Sequence, residues 1–446
     1  MGIPRSAQIG RHGRYEVKGL KYVSVVTFPH TSNLVIGIEI TLEDMFTRAR
    51  IAIASGAAGA SLLAGFYDSA CSQSDAHGTH ARLTSVLGNF HVDQWSTNET
   101  LAKTDPAKPW WVRKRTLHGG RQEGVDEIEV HNGVLSFTVL PTRGMSIGNM
   151  RVDGEDLSWS SPIMEAVHPR EIDLQDRSGL GWLTGFNEWL VRCGVAWSGH
   201  PGTDGGHLLT LHGRIGNIPA SEVEVVVDED APHRIRVRGR VDEAMFKFCD
   251  FELWTEISTV PGSSEVSIRD VLKNRSSYEK EYMMIYHTQF GPPILEEGSQ
   301  FVCDPNASVF PFNADAAAEM NKWQSYRGPT KGYGETVYCV TPSKSEDGSS
   351  HVALVNATRS KGVKLRYGAE SLPHLNLWKN TDTELEGYVT GLEPGTNFAY
   401  NRSKEREAGR VRTLQPSEEV SFELDFIFLR SNAEVQAASK EVTGVA

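Results

Sequence analysis

The sequence predicts a mainly β protein, a large antiparallel β-sandwich with a few short helices. Three observations carry that reading. Ile235, Val237 and Val241 alternate with Arg234, Arg236, Arg238 and Arg240, and Phe422, Leu424, Phe426 and Phe428 alternate with their neighbours; a period of two puts one set on the core and the other toward water. Turn residues punctuate such runs, with Asn132-Gly133 and Pro261-Gly262 as the clearest signals. No run of strands alternates with helix-length patterns, so a parallel βαβ sheet is not indicated. No fixed-period repeat or Pro-rich linker interrupts the chain after about 110, and one domain is expected over 107–432.

The elements follow in order. Residues 45–70, MFTRARIAIASGAAGASLLAGFYDSA, place Arg48 and Arg50 before an Ala/Gly-rich apolar run and then small residues. That is the layout of an export signal, with a basic region, an apolar region and a cleavage zone. A signal normally begins a chain, so residues 1–44 are read as an N-terminal extension or a start-site artefact, with translation beginning at Met45. The alternative is a small buried or interfacial helix, and with it a cytoplasmic protein. Export would make the protein periplasmic or extracellular. The run is too short and glycine-rich for a membrane span, and no stable membrane insertion of the mature domain is expected. Residues 71–106 are polar and read as a tether.

Strand texture begins near 110. Segments 127–131 and 134–140 flank Asn132-Gly133, which predicts a type I′ hairpin. Val223, Val225 and Val227 share a face in SEVEVVVDED, and FKFCDFELWTEIST and EVSIRDVLKN continue the pattern. Helical signals are confined to PRE at 169–171, GWLTGFNEWLVRCG at 181–194 and NADAAAEMNKW at 313–323. Residues 433–446 read as a C-terminal tail.

Composition narrows the function. The net charge of −12 supplies no basic field for phosphates, so nucleic acid is not an expected partner. The five cysteines form no C-x-x-C, which argues against a zinc knuckle or a thioredoxin-type site. GMSIG at 144–148 matches G-x-S-x-G literally, but it leads into an alternating segment rather than the helix that a nucleophile elbow requires. No Walker loop or G-x-G-x-x-G is present.

Three other segments carry polar groups where glycine lets backbone approach a ligand. LHGRIGNIPA, 211–220, holds His212, Arg214 and Asn217; YHTQFGPP, 286–293, holds His287 and Gln289; YVTGLEPGTN, 388–397, holds Glu393. Each has a plain structural reading: His287 as a core histidine, Glu393 as a cap on backbone amides. Together, a glutamate and two histidines at separate strand ends suit acid–base chemistry on a neutral molecule. Arg143, in LPTRGMSIG, either clamps a ligand hydroxyl or pairs with a structural carboxylate. Trp378 either stacks on a sugar face or packs in the core.

The runs LHGGRQEGVDEIEVHNGVLSFTVLPTRGMSIG, GWLTGFNEWLVRCGV, LHGRIGNIPA, YHTQFGPP and GLEPGTN, in that order between about 110 and 429, resemble the DUF4432 proteins of the galactose mutarotase-like, aldose 1-epimerase superfamily. The resemblance implies a β-supersandwich with a carbohydrate cleft across one sheet, a small-molecule sugar as partner, and no cofactor or metal. It implies His287 and Glu393 as catalytic residues and His212 as a substrate-binding one; Arg143, Arg214, Asn217, Gln289 and Trp378 are binding candidates from the motifs themselves. The second-histidine motif departs from the better-known mutarotases, being H-T-Q-F rather than H-x-Y-F, and the aspartate that holds sugar hydroxyls has no clear counterpart.

The expected reaction is interconversion of sugar anomers, with ionised Glu393 taking the C1 hydroxyl proton and protonated His287 donating to the ring oxygen. Three alternatives stay open. One is a carbohydrate-binding protein without catalysis, and another is an isomerase or lyase acting on a keto or acidic sugar. The third is a metal site built from His168, His212 and His287. Arg143, Arg192, Arg214 and Lys379 lie near the motifs and would serve an acidic or phosphorylated sugar, or else brace loops.

Overall fold

The computed structural model describes residues 79–444 and, before them, only the strands Arg14–Tyr15, Val23–Ser24, Leu34–Glu39 and Arg50–Ser55. The chain divides into two compact units, Met1–Ser72 and Gln73–Ala446. In the first, Arg14–Tyr15 pairs with Val23–Ser24 and Leu34–Glu39 with Arg50–Ser55, both antiparallel. Apart from those strands, the extension at 1–44 and the expected export signal at 45–70 lie outside the described residues.

The second unit is built on two large antiparallel sheets, of 13 and 10 strands. The centre of the larger sheet runs Thr336–Thr341, His374–Asn380, Val389–Gly395, Lys280–Phe290, Leu190–Val195 and Ser146–Val152. The centre of the smaller runs Gly362–Gly368, Glu419–Leu429, Glu265–Asn274, Cys249–Thr259, Ile235–Met245 and Glu222–Val227. The alternating segments do what their period requires: Ile235, Val237 and Val241 are buried, and Phe422, Leu424, Phe426 and Phe428 stand in the core between the sheets.

The larger sheet is covered on both faces, which explains why YMMIYHTQF lacks clean alternation. Met284, Tyr286 and Phe290 enter the inter-sheet core. Ile285 faces the other way, into a second cluster with Trp182, Phe186, Val191, Cys193 and Leu211. A strand buried on both faces reads as a continuous apolar run.

Several expectations need correction. The predicted tether at 71–106 contains three strands, His80–Ser85, Phe90–His91 and Trp95–Asn98; the first pairs with Glu222–Val227 and buries Ala81 and Leu83. Its alternation spans six residues and is easily lost among polar neighbours. The predicted tail at 433–446 is for the most part the helix Asn432–Thr443, capped by Ser431, with Val435, Ala438 and Val442 packed beside Ala353, Val355 and Leu429. The hairpin at Asn132-Gly133 is not type I′, since φ is positive at Gly133 and not at Asn132. The Asn132 amide instead bonds Thr259, Val260 and Ser263, tying the turn to the neighbouring loop. The stretch 181–194 is one 3-10 segment, Gly181–Gly185, followed by the strand Leu190–Val195.

Candidate functional site

Register brings the two principal residues together. Lys280–Phe290 and Val389–Gly395 are neighbouring antiparallel strands, and the pairs Ile285–Gly395 and Thr288–Leu392 set His287 across from Glu393. The His287 imidazole Nε2 lies 3.2 Å from Glu393 Oε1, with both side chains almost wholly buried. The contact is not aligned as a hydrogen bond, and Glu393 Oε1 is left without one. Gly391 makes room for this carboxyl: a Cβ there would stand 2.5 Å from Glu393 Oε1.

The pair borders a cavity of about 140 Å3. Trp182, Phe186 and Trp378 form aromatic walls, with ring centroids 6.0, 5.3 and 5.5 Å from that of His287. His212 stands beside them, 5.2 Å from His287 ring to ring and 4.8 Å from Trp182. His200 and Glu335 complete the polar lining. A larger depression of about 530 Å3 lies elsewhere, bounded by Trp95, Arg113, Arg115, Glu127 and Glu129. Its charged groups are already paired, Arg115 with Glu127 at 2.6 Å and the buried Lys114 with Asp126 at 2.8 Å.

His212 reaches the cavity through a strained turn. Its φ is 57° and that of Gly213 is 73°, both in the left-handed region. The turn is pinned from three sides. His212 N donates to Gly199 O at 2.8 Å, Gly194 N to His212 O at 3.0 Å, and Arg214 N to Gly194 O at 2.9 Å. A Cβ at position 213 would lie 2.2 Å from Trp197 O, so glycine is required there.

Arg143, Arg214 and Asn217 are not brought into the cavity. Arg143 is fully buried, donating to Glu188 Oε1 from Nε at 3.0 Å and Nη2 at 2.6 Å, to Gly185 O at 3.0 Å, and to Asn217 Oδ1. Arg143 and Asn217 thus brace the loop that carries the aromatic wall. Arg214 pairs with Glu243 at 3.0 Å and stacks over Trp197 at 5.1 Å. These three are corrections to the expected binding set: each arginine is paired with a buried carboxylate, and none of the three lines the cavity. Gln289 lies on the cavity side of the strand, two residues past His287, fully buried and with its side-chain amide unpaired. Trp378 lines the cavity and donates its indole N–H to Glu335 Oε2 at 3.0 Å. The trio His168, His212 and His287 is not assembled: among the described residues no three His, Cys, Asp or Glu side chains converge on a metal site, and His168 Nδ1 accepts from Arg170 N.

Trp182, Phe186, His200 and Glu335 were missed as site residues. Trp182 and Phe186 sit in a motif that reads as a helix, and nothing local marks His200 or Glu335.

Burial sets the protonation of the pair. It pushes the Glu393 carboxyl well above the usual carboxylate range, and the charge of Glu335 acts in the same direction. It pushes the His287 imidazole down to about 3. His212 is lowered too, by burial first and then by His287 and His200. Burial therefore favours the neutral form of each group, the carboxylic acid of Glu393 and the uncharged imidazole of His287. His212 Nδ1, His287 Nδ1 and Glu393 Oε1 are buried without hydrogen-bond partners. Each such orphan costs about 1–3 kcal/mol, and their convergence on one cavity marks a place where a polar ligand completes the network.

The comparisons agree with this architecture. A crystal structure from Klebsiella pneumoniae subsp. pneumoniae, of a protein provisionally named an aldose 1-epimerase, is 42% identical, covers 81% of this chain and 94% of its own, and superposes with a TM-score of 0.80. A galactose mutarotase-like protein from Clostridium acetobutylicum, at 13% identity and TM-score 0.50, covers 72% of this chain and 99% of its own and shares the fold. No functionally curated protein matches the chain. The profile of the domain of unknown function DUF4432 matches residues 122–427. The chain belongs to the DUF4432 family, on a galactose mutarotase-like fold.

Proposed function

We propose that this protein interconverts the anomers of a sugar by acid–base ring opening, the reaction of an aldose 1-epimerase. The observation that carries the reading is the buried His287–Glu393 pair, 3.2 Å apart, on a cavity walled by Trp182, Phe186 and Trp378. Aromatic faces suit the apolar C–H face of a sugar, while the orphaned polar atoms suit its hydroxyls.

The directions in which burial moves the two groups favour an assignment opposite to the one expected from sequence. Protonated Glu393 donates to the ring oxygen as the C1–O5 bond breaks. Neutral His287 accepts the C1 hydroxyl proton as the C1=O bond forms. The open aldehyde rotates about C1–C2 and recloses on the other face, returning both protons.

General acid–base catalysis by a positioned group contributes roughly 10²–10⁴-fold. Glu393→Gln and His287→Asn are each expected to cut polarimetric mutarotation of a sugar substrate by that factor. Wild-type rates in both variants would refute the assignment. Sugar binding without interconversion by the unaltered protein would favour the binding-only reading.

A further inference from the structure

Glu335 immediately precedes the strand Thr336–Thr341, exposed at the cavity and held against its aromatic wall by the Trp378 indole N–H. The cavity lining holds two carboxylic residues, Glu335 and Glu393, and three histidines, with no lysine or arginine among the described residues. The four cations near the site motifs are engaged elsewhere. Arg143 is bound to Glu188, Arg192 to Asp270 and Arg214 to Glu243, while Lys379 donates to the carbonyls of Trp323 and Ser325. The histidines do not compensate, because burial holds His200, His212 and His287 below the usual imidazole range. A phosphate or carboxylate entering this space loses water, finds no counter-charge and faces a fixed carboxylate. Like charges brought together in a partly desolvated site are strongly disfavoured.

We propose that Glu335, fixed by Trp378, is a specificity-determining residue that admits uncharged sugars and excludes those bearing a phosphate or carboxylate. The inference rests on the sugar reading of this cavity, and it concerns recognition rather than turnover.

The test is equilibrium binding to the full chain of D-galactose and D-glucose against D-galacturonate and D-glucose 6-phosphate, by titration calorimetry or saturation-transfer NMR, repeated with Glu335→Gln. The unaltered protein is expected to bind the neutral sugars at least about tenfold more tightly, and Glu335→Gln to reduce that preference about tenfold. Equal affinity for neutral and anionic sugars, or a preference unchanged in Glu335→Gln, would overturn the proposal. Selective binding of neutral sugars without interconversion would sink the catalytic reading and leave this one standing. Failure to bind any of the four would overturn both.

Discussion

Burial acts on His287 and Glu393 at opposite ends of the pH scale. Glu393 has a folded pKa raised above its ordinary 4.5. Above that value the unfolded chain ionises this group while the folded chain retains the proton, so its contribution to stability is lost as pH rises. His287 is lowered from 6.5 to about 3, so its contribution is lost as pH falls through that window. Glu393→Gln should therefore gain stability over the parent as pH rises above 4.5, and His287→Asn should gain as pH falls below 6.5. Thermal unfolding across pH 4 to 9 checks both; curves that run parallel to the parent would contradict the burial argument. The two residues were legible in the sequence through YHTQFGPP and GLEPGT. Where their protons sit was not, because the burial comes from Trp182, Phe186 and Leu211, about 75 to 210 residues away along the chain. Glu335 was illegible for a related reason: a glutamate before a strand looks like any other until Trp378 fixes it.

Among the elements, the strand Lys280–Phe290 separates structure from chemistry by side. Tyr286 turns into the sandwich, where its hydroxyl donates to Asp270 Oδ2 at 2.7 Å within the buried Arg192–Asp270 network. His287, one residue on, faces the cavity. The segment Gly181–Gly185 and the loop after it supply the aromatic wall and depend on Arg143 for their anchorage. Removing one partner of a buried ion pair leaves the other charge uncompensated, at about 3–5 kcal/mol. Arg143→Ala should thus lower stability by that amount in denaturant unfolding, whereas a ligand clamp would raise KM with stability kept. The sequence left both roles for Arg143 open, and the choice depends on Glu188, which the chain brings up only through the fold. Strand identities were legible because a two-residue period survives in 222–227, 235–241 and 419–429. The segment 181–194 was misread because its apolar residues cover one sheet from a loop, with no period to follow.

At the level of the whole unit, two sheets enclose one core and a second apolar layer on the larger sheet builds the cavity. The fold class was legible from alternation alone, but its limits were not: His80–Ser85 and Asn432–Thr443 extend the unit beyond 107–432. Val435, fully buried, distinguishes a packed helix from a tail. Val435→Asp places an unpaired carboxylate against Ala353 and Leu429 and should cost several kcal/mol in thermal unfolding, whereas a loose tail would tolerate it. Catalysis by the unit is tested directly by two-dimensional exchange NMR of the anomeric protons of galactose and glucose. Exchange between α and β anomers is expected to run far faster than the buffer rate with the unaltered protein and near the buffer rate with Glu393→Gln; exchange at the buffer rate for both proteins, with sugar bound, would contradict a catalytic role.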